Sequence, residues 1–203
     1  MLNWFVLWSI AICLGYGASA IGASFDHMLP RSDNGLFSRQ HQLALEWSSA
    51  VSLTGLVMLG DSQTEFGQTA ATALDAMASS AILTQAAKIT FRRQRPRDGN
   101  DPDVWFSGSN NRSFPSGEVA HITAIVTPFI ATYQQEYPAV WLLSALPVYD
   151  GLARMKSQAH WQTDVLTGAA IGLGLGLYCH QGACPLSMSP WLNGVGIAWR
   201  GHF

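Results

Sequence analysis

Apolar segments with helical spacing, and almost no strand-like alternation, limit the folds open to this chain. Between residues 66 and 91, small and apolar residues recur at three- and four-residue steps, among them Leu74, Met77, Ala81 and Ile89. This spacing places them along one face of a helix. Comparable segments cover residues 43–60, 116–133, 140–155 and 161–178. Together they predict an all-α helical bundle.

The last predicted helix carries glycines four residues apart, at Gly168, Gly172 and Gly176. Glycines with this spacing allow a neighbouring backbone to approach closely, in membrane helix pairs and in soluble ones. The tail that follows, residues 182–203, is predicted to be irregular or weakly β and suggests no chemistry.

The composition suggests a protein at or near a membrane. The chain has 203 residues, one domain's worth, of which 48% are hydrophobic and only 12% charged, about half the usual share of charge. Most apolar runs are nevertheless shorter than the roughly 20 residues a spanning helix needs, and several contain a charge or a proline. We therefore favour a compact periplasmic bundle over an integral membrane protein, and membrane association stays open.

The first 20 residues predict a secretory signal. An apolar run from Trp4 to Gly15 is followed by Ala18-Ser19-Ala20, a small-x-small pattern that suits signal peptidase. No Lys or Arg precedes this run, so an uncleaved anchor helix is the alternative. The remaining residues, 21–203, are expected to form a single domain.

Cleavage of this signal would remove Cys13 and leave two cysteines, Cys179 and Cys184. They are an even pair that can close a small loop in an oxidising compartment. Two unpaired, small apolar side chains are an equally good interpretation.

Positive charge is concentrated in the middle of the chain. Eight of the eleven Lys and Arg residues lie between residues 88 and 156, on both sides of a long polar segment at residues 97–114. Such long connections are usually functional or disordered, and this one is predicted to form the mouth of a site. The net charge of -2 and the pI of about 6.3 give no general attraction for nucleic acid, so no nucleic-acid partner is expected.

Two patterns predict an anion site. In "KITFRRQRP", Lys88 and Arg95 lie seven residues apart near the predicted end of one helix, which Pro96 terminates. In "SFPSGE", Ser116 stands where the next helix begins and Gly117 helps to shape the turn. A helix N-terminus presents free N–H groups and the positive end of the dipole. Taken alone, each pattern is also typical of an ordinary helix end.

A third pattern, "ARMKSQAHWQTD", supplies a candidate nucleophile. Arg154 precedes His160 by six residues, and Asp164 lies four residues after His160. On a helix, residues four apart share a face, so Asp164 can hold one imidazole nitrogen and leave the other free to attack.

Taken together and in this order, the three patterns resemble the type 2 phosphatidic acid phosphatase family, which shares its fold with bacterial class A acid phosphatases and vanadium haloperoxidases. The resemblance covers about residues 66 to 180. It implies that Lys88, Arg95 and Arg154 clamp the phosphate and that Ser116 and the Gly117 amide donate to it. It further implies that His160 forms a phosphohistidine and that Asp164 orients it.

No metal or cofactor is needed if enough preplaced cations and amides stabilise the phosphoryl group. The predicted function is therefore a metal-independent phosphatase that hydrolyses phosphomonoesters or diphosphates, lipid-linked ones included. It would act in the periplasm or on the periplasmic face of the inner membrane. The alternatives are a catalytically impaired phosphate-binding protein and a vanadate-dependent haloperoxidase.

Two positions depart from the family pattern. Ala153 stands where the family usually has Ser, which is tolerable because the following arginine supplies the charge. Glu118 stands where the family usually has the His that protonates the leaving oxygen.

Three interpretations of Glu118 compete. It can merely stabilise the helix dipole, or His121 can take the missing role, although it lies on the order of 4.5 Å deeper along the axis. The third, which we prefer, makes Glu118 the acid-base group. In that case a bound phosphate raises its pKa while the neighbouring cations lower it, so that it titrates at mildly acid pH. The enzyme then favours substrates whose leaving group needs little protonation, such as diphosphates or aryl phosphates, or else works at lower pH.

Overall fold

Five α-helices make up most of the computed structural model, which describes residues 25–191 and 194–199. They are α1 (Arg39–Leu59), α2 (Glu65–Phe91), α3 (Gly117–Tyr133), α4 (Ala145–Lys156) and α5 (Gln162–His180). Short 3-10 helices at Gly35–Phe37, Pro96–Asp98 and Pro138–Ser144 lie between or before them. The prediction of an all-α bundle is confirmed.

Helix α3 lies at the centre of the bundle, between α2 and α5. Its first three turns, from Gly117 to Pro128, are almost entirely buried. On one side α1 and α2 complete an apolar cluster made of Leu53, Val57, Ala70, Ala73, Leu74 and Ile125. This packing fixes the N-terminus of α3, where the "SFPSGE" pattern lies, deep within the fold.

Helices α3 and α5 cross at very short distance because α5 presents glycine to α3. A Cβ added at Gly168 would lie 2.3 Å from the carbonyl oxygen of Ser116, and one at Gly172 would lie 2.3 Å from that of Ala120. The predicted close approach at these glycines is confirmed. It brings the start of α5, which follows His160, against the start of α3.

Helix α1 begins four residues earlier than predicted. Ser38 caps it, its hydroxyl accepting a hydrogen bond from the His41 amide, which is the usual role of serine at this position. The extra turn contains Arg39 and Gln42, and both reach the candidate site.

The prediction of one continuous helix over residues 140–155 is wrong. The segment is a 3-10 helix, Pro138–Ser144, followed by α4. Pro147 has no N–H to donate to the carbonyl of Leu143, so an α-helix cannot continue through both.

The tail, predicted to be irregular or weakly β, contains an antiparallel hairpin of β1 (Leu186–Trp191) and β2 (Gly194–Trp199). A disulfide between Cys179 and Cys184 precedes it and packs against Ala76 and Ala124. Of the two interpretations left open for these cysteines, the structure has the paired one.

Within residues 25–191 and 194–199, no helix combines the length and the apolar character that crossing a bilayer requires. The predicted signal at residues 1–20 lies outside the described residues.

Candidate active site

The three patterns meet at one end of the bundle. The Lys88 Nζ, at the end of α2, donates to the carbonyl of Pro115 at 2.8 Å. The Arg95 Nη1 donates to the carbonyl of Ala159, next to His160, at 3.1 Å. The amide of Ser116 donates to the carbonyl of Asp164 at 2.9 Å. The sequence-predicted segments are therefore joined directly by hydrogen bonds.

Arg95 reaches the site from a loop and not from the helix, contrary to the prediction. Helix α2 ends at Phe91, and Arg92 adopts a left-handed conformation with φ of 42°. The chain then extends, and the Arg95 Nη2 donates to the Arg112 carbonyl at 3.3 Å. Pro96 follows the end of α2 by several residues and begins a 3-10 helix.

His160 is the buried centre of the site, with only 3% of its surface exposed. Its Nδ1 lies 2.6 Å from the carbonyl oxygen of Ser113. A carbonyl only accepts hydrogen bonds, so Nδ1 carries the proton and Nε2 keeps a lone pair. Burial, and then the charges of Lys88, Arg154 and Arg95, hold the pKa of His160 well below its usual value despite the Ser113 bond. The imidazole is therefore neutral and equipped to act as a nucleophile.

Asp164 holds the loop around His160 instead of bonding to its ring. Its Oδ2 is 3.7 Å from the His160 Nδ1, and it accepts hydrogen bonds from the Ser113 hydroxyl at 2.5 Å and from the Trp161 amide at 2.9 Å. Ser113 supplies the carbonyl that binds His160, and Trp161 follows it in the chain. Asp164 thus fixes both neighbours of the imidazole.

A buried arginine connects Asp164 to the N-terminal part of the described chain. The Arg93 Nη1 donates to the Asp164 Oδ1 at 2.6 Å, and its Nη2 donates to the Asp26 Oδ2 at 2.6 Å. All three side chains have no exposed surface. Asp26 also accepts from the Thr163 amide at 2.8 Å and so caps the start of α5. One guanidinium between two carboxylates, each with further hydrogen bonds, satisfies the conditions under which buried charges persist.

The three cations predicted to clamp the phosphate lie close enough together to lower one another's pKa values. Burial, and then the charge of Arg95, lowers the pKa of Lys88 to about 8. Burial, and then the charge of Arg154, lowers the pKa of Arg95 to about 10. Arg154 is 6% exposed, and burial lowers its pKa too. Cations that disfavour each other's charge in this way provide a strong site for a polyanion.

The start of α3 leaves donors free for such an anion. The hydroxyl of Ser116 is buried and has no hydrogen-bond partner, and neither has the Nε of Arg154. The stem of Lys88 lies against Gly117, where a Cβ would be 3.4 Å from the Lys88 Cε. The Lys88 cation therefore lies beside the N-terminus of α3.

Glu118 lies in the first turn of α3 between two arginines. Its Oε2 is 2.7 Å from the Arg39 Nη1, and its Oε1 is 3.4 Å from the Arg154 Nη1. Burial by itself raises the pKa of Glu118, but the hydrogen bond from Arg39 and the positive charges of Arg154, Arg39 and Lys88 outweigh it, and the pKa lies below its usual value. Without a bound phosphate, Glu118 is therefore a carboxylate at neutral pH. Its titration at mildly acid pH beside a bound phosphate stays a prediction.

His121, the alternative acid, contacts α1 through its Nδ1, while its buried Nε2 has no hydrogen-bond partner. Its Nδ1 is 3.5 Å from the Glu46 Oε1, and it lines an apolar groove between α1, α2 and α3. The other residues of this groove are Glu46, Trp47, Ser49, Ala50, Met77, Ala78, Ala81, Ile122 and Ile125.

Sequence reasoning missed several members of the site: Asp26, Arg39, Gln42, Arg93, Ser113 and Asp150. Arg93 belongs to the basic cluster that the sequence shows, but nothing in its spacing separates it from half-buried Arg92 or exposed Arg97. Gln42, which is fully buried and accepts from the Arg154 Nη1 at 2.9 Å, lies outside every motif. Their roles depend on contacts between segments distant in sequence.

Residues 69–183, more than half of the chain, match the family model of the PAP2 superfamily. With the helical bundle and the site described above, this match shows that the chain belongs to the PAP2 superfamily, and the resemblance inferred from the motifs is confirmed.

Among curated proteins, the chain is similar to the lipid A 1-phosphatase of Porphyromonas gingivalis, with 32% identity over 97 residues. That alignment covers 46% of this chain, and the chain spans only about a fifth (19%) of the length of this relative. Among solved structures it is similar to LpxE of Aquifex aeolicus, with a TM-score of 0.46 and 18% identity over 74% of this chain and 99% of that one.

Proposed function

We propose that the protein is a metal-independent phosphatase that hydrolyses phosphomonoesters or diphosphates through a phosphohistidine on His160. The observation that carries this proposal is the state of the imidazole. It is neutral, and its Nδ1 donates a hydrogen bond to the Ser113 carbonyl. Its Nε2 therefore keeps a lone pair, and the positive charges of Lys88, Arg95 and Arg154 act on the same ring. This arrangement supplies a nucleophile and the cations that a phosphoryl group needs.

In the first step, the His160 Nε2 attacks phosphorus, and the bond from phosphorus to the leaving oxygen breaks. Lys88, Arg95 and Arg154 stabilise the charge on the nonbridging oxygens, together with the Ser116 hydroxyl and the Gly117 amide. Asp164 keeps the imidazole in place through Ser113 and Trp161. In the second step, water attacks the phosphohistidine and releases phosphate.

Glu118 serves as the acid-base group of both steps. As the carboxylate found here, it is suited to take a proton from the attacking water. A bound phosphate dianion raises its pKa, so that it can also carry a proton to the leaving oxygen. Because its two arginines oppose that protonation, diphosphates and aryl phosphates should be better substrates than alkyl phosphates.

A lipid-linked substrate is supported by two observations. The relative from Porphyromonas gingivalis is named for a lipid phosphate. The apolar groove lined by Met77, Ala81, Ile122 and Ile125 also includes His121, one turn after Glu118, and a hydrocarbon chain attached to the phosphate can lie in it. We place the enzyme in the periplasm or on the periplasmic face of the inner membrane, consistent with the disulfide between Cys179 and Cys184.

The test is phosphate release from p-nitrophenyl phosphate and from a prenyl diphosphate, from about pH 4 to about pH 9. The wild type should release phosphate from both. His160→Ala should abolish release, whereas Glu118→Gln should lower it sharply. His180→Ala removes an exposed imidazole at the end of α5 and should retain full activity. Phosphate binding without turnover in the wild type would contradict the proposal and identify a binding protein.

A further inference from the structure

Buried polar atoms without a hydrogen-bond partner cluster around the candidate site. Within the described part of the chain they belong to Trp105, Ser116, His121, Asp150 and Arg154. Under the proposed function, phosphate oxygens satisfy the Ser116 hydroxyl and the Arg154 Nε. The Trp105 Nε1, the His121 Nε2 and Asp150 are left without a partner, and Asp150 is the one among them with an acidic group, fully buried and with both oxygens unpartnered. A buried carboxylate without donors is costly, so this group needs a protonated state or a function.

Asp150 lies near enough to Glu118 for the charge of Glu118 to act on it. It precedes Arg154 by one helical turn on α4, and residues four apart share a helix face. Arg154 in turn contacts Glu118 on α3. A Cβ added at Gly151 would meet the side chains of Val165 at 2.8 Å and Val119 at 3.9 Å, so α4 packs tightly on α3 and α5 at this level.

The charges around Asp150 favour its neutral form. Glu118 faces it from α3, Arg39 and Glu46 from α1, and Arg154 from its own helix. The two other carboxylates disfavour a charge on Asp150, whereas the two guanidinium groups favour it. Burial, and then the charge of Glu118, raises the pKa of Asp150 to about 7. Near pH 7, Asp150 is therefore about half protonated, and its protonated fraction rises as pH falls.

We propose that Asp150 and Glu118 form a carboxyl pair that holds a single proton and delivers it to the leaving oxygen, in place of an imidazolium. This inference rests on the proposed function. Two neighbouring carboxyl groups that share one proton titrate as a pair. Such a pair provides an acid near neutral pH even though arginines keep Glu118 ionised.

The proton returns to its starting place in each cycle. When a phosphate dianion binds, it raises the pKa of the nearer carboxylate, Glu118, and the proton moves to Glu118 from Asp150. As the His160 Nε2 bonds to phosphorus and the leaving bond breaks, Glu118 passes this proton to the leaving oxygen. In the second step Glu118 takes a proton from the attacking water, whose oxygen bonds to phosphorus while the bond from nitrogen to phosphorus breaks. After phosphate leaves, the proton returns to Asp150.

The experiment compares kcat/KM of the wild type and Asp150→Asn on two substrates near pH 7. Asparagine keeps the shape of the side chain and removes the proton. An alkyl phosphate needs protonation of its leaving oxygen, whereas p-nitrophenyl phosphate hardly does. We expect kcat/KM of Asp150→Asn to fall about 100-fold on the alkyl phosphate, at the lower end for general acid catalysis, and to stay within about threefold on p-nitrophenyl phosphate. Tyr149→Phe, which removes the adjacent hydroxyl that donates to the Leu36 carbonyl, is the control and should match the wild type on both.

An equal loss on both substrates would show a merely structural role, and no loss on either would show that the proton comes from elsewhere. Both outcomes overturn the inference while the proposed function stands. A wild type that turns over neither substrate overturns the proposed function, and the inference with it.

A second measurement detects the proton on Asp150 through the pH dependence of the free energy of unfolding. The pKa of Asp150 is about 7 in the folded protein and about 4 in the unfolded chain. Between these two pH values the folded protein binds more protons than the unfolded chain, so the contribution of Asp150 to wild-type stability should fall as pH rises from about 4 to about 7. The stability of Asp150→Asn relative to wild type should increase over the same window. A difference between the two proteins that does not change with pH would overturn the inference.

Discussion

The two oxygens of Glu118 face different arginines. The Oε2 is 2.7 Å from the Arg39 Nη1 on α1, and the Oε1 is 3.4 Å from the Arg154 Nη1 on α4. Arg154 belongs to the family motif, whereas Arg39 lies on a helix that no motif includes. The first turn of α1 therefore controls the protonation of a residue in the first turn of α3.

Replacing Arg39 with Gln should move the acid limb of the activity profile to higher pH. Arg39 holds the pKa of Glu118 down by its hydrogen bond and its charge, and the second step needs the Glu118 carboxylate. Without Arg39 that carboxylate persists only at higher pH. The measurement is kcat against pH, with Arg31→Gln, which breaks an exposed pair with Asp33, as the control. An acid limb that stays in place or moves to lower pH would contradict this coupling.

Anion affinity should decrease as pH rises through about 8, because Lys88 has a pKa of about 8 in the free protein and binds an oxyanion only when charged. Sulfate is a suitable probe, since its charge is constant in this range. For a single site that must be protonated, its Kd should rise about tenfold between about pH 7 and about pH 9.

The chain has one other lysine, Lys156, which provides a matched control. Lys88→Met should bind sulfate more weakly and with little dependence on pH, whereas Lys156→Met should follow the wild type. Identical pH profiles for the two variants would rule out Lys88 as the titrating cation.

Asp26→Asn should destabilise the fold strongly. Asp26 forms a fully buried pair with Arg93 and caps the Thr163 amide, and breaking one side of a buried ion pair costs about 3–5 kcal/mol. Urea unfolding measures this loss. The exposed pair of Arg31 and Asp33 offers the control, since Asp33→Asn should change the free energy of unfolding by less than about 1 kcal/mol. Similar small losses in both variants would show that the buried network adds little.

Two glycines of α5 should respond to alanine in opposite directions. At Gly172 the new Cβ would meet the Ala120 carbonyl oxygen at 2.3 Å and the Thr123 Cβ at 2.7 Å. Gly172→Ala should therefore destabilise by about 1–3 kcal/mol, as overpacking does. At Gly174 nothing lies within 4 Å, and Gly174→Ala should stabilise by up to about 1 kcal/mol through helix propensity. Thermal unfolding of the two variants checks this, and a stabilising Gly172→Ala would show that α3 and α5 are further apart.

The helical periodicity of the sequence was sufficient to predict α2, α3 and α5 within two residues at each end. It failed where a local feature decided the boundary: at the Ser38 cap, which starts α1 early, and at Pro147, which divides the fourth segment. Caps and prolines are visible in a sequence, but whether they end a helix depends on the packing around them.

The motifs predicted the residues that the fold brings together, because phosphate chemistry needs cations, amides and an imidazole in recognisable local spacings. These residues are Lys88, Arg95, Ser116, Arg154 and His160. They misjudged the partner of the imidazole. A spacing of four residues suggested a direct bond from Asp164, whereas His160 precedes α5 and bonds to the Ser113 carbonyl. The helix geometry assumed for the pair did not apply to a residue outside the helix.

The sequence by itself determined the class of fold and the motif residues of the site, since both depend on local spacing along the chain. Tertiary structure alone decided the protonation states. The carboxylates of Asp26, Glu118, Asp150 and Asp164 are alike in the sequence, yet one is unpartnered, one lies between two arginines and two share Arg93. Proton affinity depends on burial and on charges brought from distant segments, and these exist only once the helices have packed.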